Sequence, residues 1–168
     1  MPYDATCSLW PRQDEAFFRK RVFQPIQQQG PHCVSTVLAI LTGRTPEEFQ
    51  GRINTQDPVS WSEALQVANM KLAYCPTDVR KLKYYMAELV ALDDLFTLSY
   101  YTRNDPAAIL GDPDERGWVT GSHIVVLHRD QILDPQTGQA TDAFSHRCND
   151  HHTKRIFRVV PLDHPRGL

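Results

Sequence analysis

Cys33 follows a Gly30-Pro31-His32 turn and opens an apolar run, Val34 to Leu41, that stops at Thr42-Gly43. The run suits a buried helix about three turns long, with Gly43 at its C-terminal stop. A thiol at a helix N-terminus sits at the positive end of the macrodipole, which favours the thiolate. That is the setting of a nucleophile. Cysteine catalysis also needs a histidine to share the thiol proton, a third group to hold the imidazole, and donors aimed at the oxyanion.

His123 and Asp134 fit the second and third roles. Ser122 to His128 reads as a strand, Arg129-Asp130 as a tight turn, and Gln131 to Asp134 as the return strand. In that hairpin residues 123 and 134 are expected near one another across the ladder, so the carboxylate can take a hydrogen bond from the imidazole. Gln27, Gln28 and Gln29 each offer a side-chain amide to the oxyanion, and the Cys33 N–H offers a second donor. His32 is expected on a turn or rim, and His128 is expected to be exposed near the hairpin turn. The spacing of Cys148, His151 and His152 can chelate a soft divalent metal such as zinc. Structural zinc sites generally take four ligands from two knuckles, and no second pair stands elsewhere. A polar surface loop is the simpler reading, and no metal or cofactor is expected.

These pieces meet in one family. Gln27 lies six positions before Cys33, and the apolar run is followed by Thr45-Pro46-Glu47-Glu48-Phe49. Far downstream Gly121-Ser122-His123-Ile124-Val125-Val126 precedes Asp134-Pro135-Gln136-Thr137-Gly138. The ordered set resembles the papain-like cysteine peptidase superfamily, and most its small bacterial branch, similar to the bacteriocin-leader-processing peptidases. The resemblance covers roughly residues 27–50 and 121–138. It implies a papain-like fold, with Cys33 as nucleophile, His123 as base, Asp134 as orienting acid and Gln27 as oxyanion donor. A cysteine hydrolase of this kind is expected to cleave an amide bond in a protein or peptide substrate. Glutamine deamidation and amine-capturing acyl transfer use the same chemistry, and a non-catalytic binding or adaptor domain is the alternative outside enzymes.

Around these residues the chain divides into short elements. Residues 1–24, with Phe17, Phe18 and Phe23, are expected to dock an entry segment on the domain, and Arg19-Lys20-Arg21 to be a solvated face. Thr45 begins a helix with Pro46 at N1 and Glu48 at the capping-box position. Ser60 or Ser62 begins a further helix through Ala68, and Lys71 to Cys75 forms a strand closed by Pro76. Thr77 or Asp78 caps a helix from Val79 to Leu92, and Leu95 to Tyr101 follows as a strand. Residues 103–121 form a long polar loop of the kind that is functional in compact domains. Together with 53–60 it is expected to set specificity, its acids Asp112, Asp114 and Glu115 pointing to a basic or polar partner. Residues 140–153 read as polar loop, Lys154 to Val160 as the last strand, and the tail from Pro161 as frayed. Helices first and strands later give an α+β class with a mainly antiparallel sheet.

The 168 residues are expected to form a single domain able to bury a real core. A formal charge of −2 gives no electrostatic reason for nucleic acid or an anionic membrane as partner. No stretch reaches the ~20 apolar residues of a membrane span, and residues 1–7 lack the features of a secretory signal. The expected place of synthesis is the cytoplasm, with signal-independent delivery, including into another cell, left open. Cys7, Cys33, Cys75 and Cys148 are widely spaced and are expected as free thiols.

Overall fold

The computed structural model describes residues 9–102 and 121–168. Among these residues three helices, α1 (Cys33–Thr42), α2 (Pro58–Ala64) and α3 (Lys83–Leu92), accompany six strands. These are β1 (Met70–Cys75), β2 (Leu95–Tyr101), β3 (Ser122–His128), β4 (Gln131–Asp134), β5 (Gln139–Asp142) and β6 (Thr153–Pro161). They form one antiparallel sheet in the order β1-β6-β2-β3-β4-β5. The class is therefore α+β, as the run of helices before strands implied.

Both faces of the sheet are covered, and the alternation along β3 shows how. Val125 and Leu127 pack with Met86 and Leu89 of α3 and with Leu9 and Trp10 from the entry segment. Ile124 and Val126 pack with Val37, Leu38 and Leu41 of α1 and with Trp61 and Leu65. Strands buried on both faces read as continuous apolar runs, and β3 does. Helix α1 ends where Gly43, at φ 74°, adopts the left-handed conformation that terminates a helix.

Several elements depart from the sequence expectations for local reasons. The segment after Thr45 is one 3-10 turn, Pro46–Glu48, in which the Glu48 carboxylate accepts the Thr45 N–H at 2.9 Å. Helix α2 starts at Pro58, not at Ser60 or Ser62, because the Asp57 side chain caps the Val59 N–H at 3.0 Å. Ser62 is buried and accepts the Leu72 N–H instead. Helix α3 starts at Lys83, not Val79. Asp78 does not cap it, because its carboxylate is taken by the Arg80 backbone and guanidinium and the Tyr85 hydroxyl.

The 140–153 segment is not all loop. It contains most of β5, whose largely exposed residues carry no apolar alternation to announce a strand, and a 3-10 turn at Arg147–Asp150. The tail is not frayed. Leu162 and Leu168 donate backbone bonds to Asn69 and Leu72, and the Arg166 guanidinium lies 4.1 Å from the Trp10 ring. Residues 9–24 dock without helix. His128 is half-buried, not exposed, with its ring against Phe23 and Nε2 at 3.1 Å from Phe18 O. The long loop at 103–120, with its acids, and Cys7 lie outside the described residues.

Candidate active site

Cys33 is the first residue of α1, where helix geometry leaves the leading N–H groups without intrahelical acceptors. It is half-buried and borders a cleft of about 320 Å³ that His123 also lines. Ser122, His123 and Ile124 all reach this cleft, so it lies at the opening end of β3 rather than on one sheet face. Ile53, Thr55 and Gln56 of the 53–60 segment form part of its wall, and His32 stands at its edge.

His123 is held from one side. Its Nε2 lies 2.8 Å from Asp134 Oδ1, and the Cys33 thiol shares the cleft that its ring borders and acts on it electrostatically. With Nε2 donating to the carboxylate, Nδ1 is the nitrogen left for the thiol. The register sharpens the expected hairpin geometry. The ladder pairs Val126 with Leu133 and His128 with Gln131, so its continuation would set Val125 opposite Asp134. His123 and Asp134 therefore meet on the diagonal, from the same face.

Burial disfavours a charged His123. The hydrogen bond to Asp134 and the interaction with the Cys33 thiolate outweigh it, and the pKa rises from 6.5 to about 9. Burial likewise works against the Asp134 carboxylate. Its donors, His123, His146 and the Gln136 N–H, prevail and hold it well below the usual range. Gln136 N–H approaches Oδ1 at 2.9 Å and His146 Nε2 approaches Oδ2 at 2.8 Å. The Cys148 N–H donates to His146 Nδ1 at 3.0 Å, so that ring carries its proton on Nε2 and gives it to Asp134.

His146 falls in the 140–153 segment that reads as polar loop, and its contact with Asp134 was missed. The Cys-x-x-His-His signal led elsewhere. Cys148 is buried, with its thiol pushed up to about 12 by that burial. His152 Nδ1 bonds Val79 O, and His151 stacks near Tyr100. Among the described residues no group of three or more His, Cys, Asp or Glu is placed to hold a metal. Cys33, Cys75 and Cys148 are free thiols.

Gln27 is exposed but locally anchored. Gly138, at φ 69°, packs so closely that a Cβ there would lie 2.7 Å from Gln27 Cβ, and the Gln28 N–H bonds Pro135 O at 2.6 Å. The glutamines are thereby strapped to the turn that carries Asp134. Gln28 commits an amide N–H to Gly30 O, whereas the Gln27 and Gln29 side chains are exposed.

Lys154 and Arg155 also line the cleft, and nothing in the sequence marked them. Burial, then repulsion from Arg155, lowers the Lys154 pKa, while the Cys33 charge opposes that shift. No helix among the described residues is long and apolar enough to cross a membrane. No protein-family model, curated protein or solved structure matches this chain.

Proposed function

We infer that this protein is a papain-like cysteine hydrolase that cleaves an amide bond in a protein or peptide through a thioester acyl-enzyme. The observation that carries the reading is a single arrangement: Cys33 at a helix start, His123 in the same cleft, and Asp134 hydrogen-bonded to Nε2 of that ring. The order nucleophile, base, orienting acid is the one that thiol catalysis requires.

In this mechanism the Cys33 thiolate attacks the carbonyl carbon while His123 holds the proton on Nδ1. The Cys33 N–H donates to the oxyanion, and the family resemblance assigns the second donor to the side-chain amide of Gln27, which does not border the cleft. His123 passes its proton to the leaving nitrogen as the C–N bond breaks, leaving the thioester. Water then attacks with its proton going to His123, and the carboxylic acid product departs as the thiol re-forms. Asp134 keeps Nε2 protonated throughout.

Two measurements test the reading. Iodoacetamide at mildly acidic pH is expected to alkylate Cys33 much faster than Cys75 or Cys148, whose thiols burial pushes up to about 12. Cys33→Ala is expected to abolish cleavage of a peptide library by the native chain. Equal labelling of the three thiols, or cleavage that survives Cys33→Ala, would overturn it. Release of ammonia from glutamine peptides without backbone cleavage would point to deamidation at the same site.

A further inference from the structure

Beside Cys33 the cleft wall is cationic. Lys154 and Arg155 are neighbours on β6, and neighbours on a strand normally face opposite sides of the sheet. Here the register with β2 shifts. Ser99 is paired with Arg155 and Tyr100 with Thr153, so Lys154 is the extra residue of a β-bulge. By parity Lys154 belongs with Ile156, which packs in the α3-side core. The bulge instead brings it into the same cleft as Arg155.

What surrounds the two cations is informative. No carboxylate borders the cleft among the described residues. Lys154 lies 3.4 Å from the neutral Ser122 hydroxyl and over the Tyr101 ring. Neither Lys154 nor Arg155 has an acidic partner among the described residues. Half-burying two cations with no carboxylate beside them is costly unless an anion completes the site. The single charge of the Cys33 thiolate meets only part of that need, and such a cleft concentrates further anions.

We propose that Lys154 and Arg155 form a subsite for a carboxylate carried by the substrate close to the scissile amide. This rests on Cys33 being the nucleophile and adds the substrate's charge class to it. The carboxylate has two chemical sources, an acidic side chain or a free C-terminus.

Three alkylating probes of nearly equal size test it on the full chain: iodoacetyl-glutaminamide (neutral), iodoacetyl-glutamic α-amide (acidic side chain) and iodoacetyl-glutamine (terminal carboxylate). The rate of Cys33 labelling, mapped by mass spectrometry, is read as the ratio of each acidic probe to the neutral one. Each ratio is normalised to that of a simple thiol. At least one ratio is expected to exceed the simple thiol's on the order of tenfold, and the acidic probe that shows it identifies the source. The advantage is expected to fall in Lys154→Met and in Arg155→Met, and to shrink with salt. The His123 charge is common to all these proteins and cancels in the comparison. A ratio equal to the simple thiol's, or one that persists when both cations are removed, overturns the proposal. Slow labelling of Cys33 by the neutral probe overturns the nucleophile reading instead, while the ratio still reports the charge of the cleft.

Discussion

Asp134 is the residue on which three donors converge, and that makes its substitution by asparagine informative. The amide oxygen can replace Oδ1 and still accept from His123 and the Gln136 N–H. The amide nitrogen must then replace Oδ2 and face the proton on His146 Nε2. His146 cannot turn its proton away without losing the Cys148 N–H. Asp134→Asn is therefore expected to cost about 1–3 kcal/mol in urea denaturation, the penalty of an unmatched buried polar pair. In a His146→Ala background the same change should cost measurably less, because the opposing donor is gone; equal cost would show that the two do not couple. The carboxylate charge should also appear in the titration of His123, followed by NMR of its ring protons. Its folded pKa is raised to about 9, so its contribution to stability is full below about pH 6.5 and is lost as pH rises through about 9. Asp134→Asn should move the His123 midpoint down by about 1 to 3 pH units. Cys33, His123 and Asp134 were reachable from sequence because each sits at a local landmark, a helix start or a hairpin end. His146 was not, since its place depends on how β5 and the 3-10 turn fold the chain back over Asp134.

At the scale of elements, the site depends on how the turn after β4 receives the segment before α1. Gly138 and Gly43 have nearly the same left-handed φ, 69° and 74°, so alanine at either carries the same backbone penalty of about 1–2 kcal/mol. Their surroundings differ. A Cβ at Gly43 meets nothing within 4 Å, whereas one at Gly138 would lie 2.7 Å from Gln27 Cβ and 3.2 Å from its backbone. Gly138→Ala must push the glutamine strap away from the Asp134 turn, so it should destabilise the protein more than Gly43→Ala in parallel denaturation curves. It should also slow Cys33 alkylation, which Gly43→Ala should affect far less; matching behaviour of the two variants would show that the strap is not seated by Gly138. Elements built on an unbroken apolar run between turn signals, such as α1, β2 and β3, were legible in the sequence. The start of α3 was misplaced because Asp78, a good cap by type, is taken by Arg80 and Tyr85, a choice made between competing partners. The bulge at Lys154 was hidden for a related reason: it exists only in the register between β6 and β2, and neither strand alone encodes it.

At the scale of the whole molecule, the entry segment is held to the sheet by a fully buried ion pair. Arg158 Nη2 lies 2.6 Å from Asp94 Oδ2 and 2.8 Å from Glu15 O, and the Asp94 carboxylate also accepts the N–H groups of Phe17 and Phe18. The guanidinium is packed against the rings of Trp10, Phe17 and Phe96, while its Nε and Nη1 have no hydrogen-bond partner. Such a charge is tolerable only with its counter-ion. Nothing in the sequence links Asp94, in the turn before β2, to Arg158 in a strand otherwise read as core, so the anchor was invisible there. Asp94→Ala strands Arg158 in the core and leaves two backbone donors unpaired, which is expected to cost about 3–5 kcal/mol. The loss should show first where the segment is tied down. Lys20 and Arg21 are exposed, but their chain is pinned by Phe17 and Phe18, and a protease must free several residues around a bond to cut it. Limited trypsin digestion after these residues should therefore be at least about tenfold faster in Asp94→Ala than in the native chain. An unchanged rate would mean that the aromatic packing of Trp10, Phe17 and Phe18 holds the segment without the ion pair.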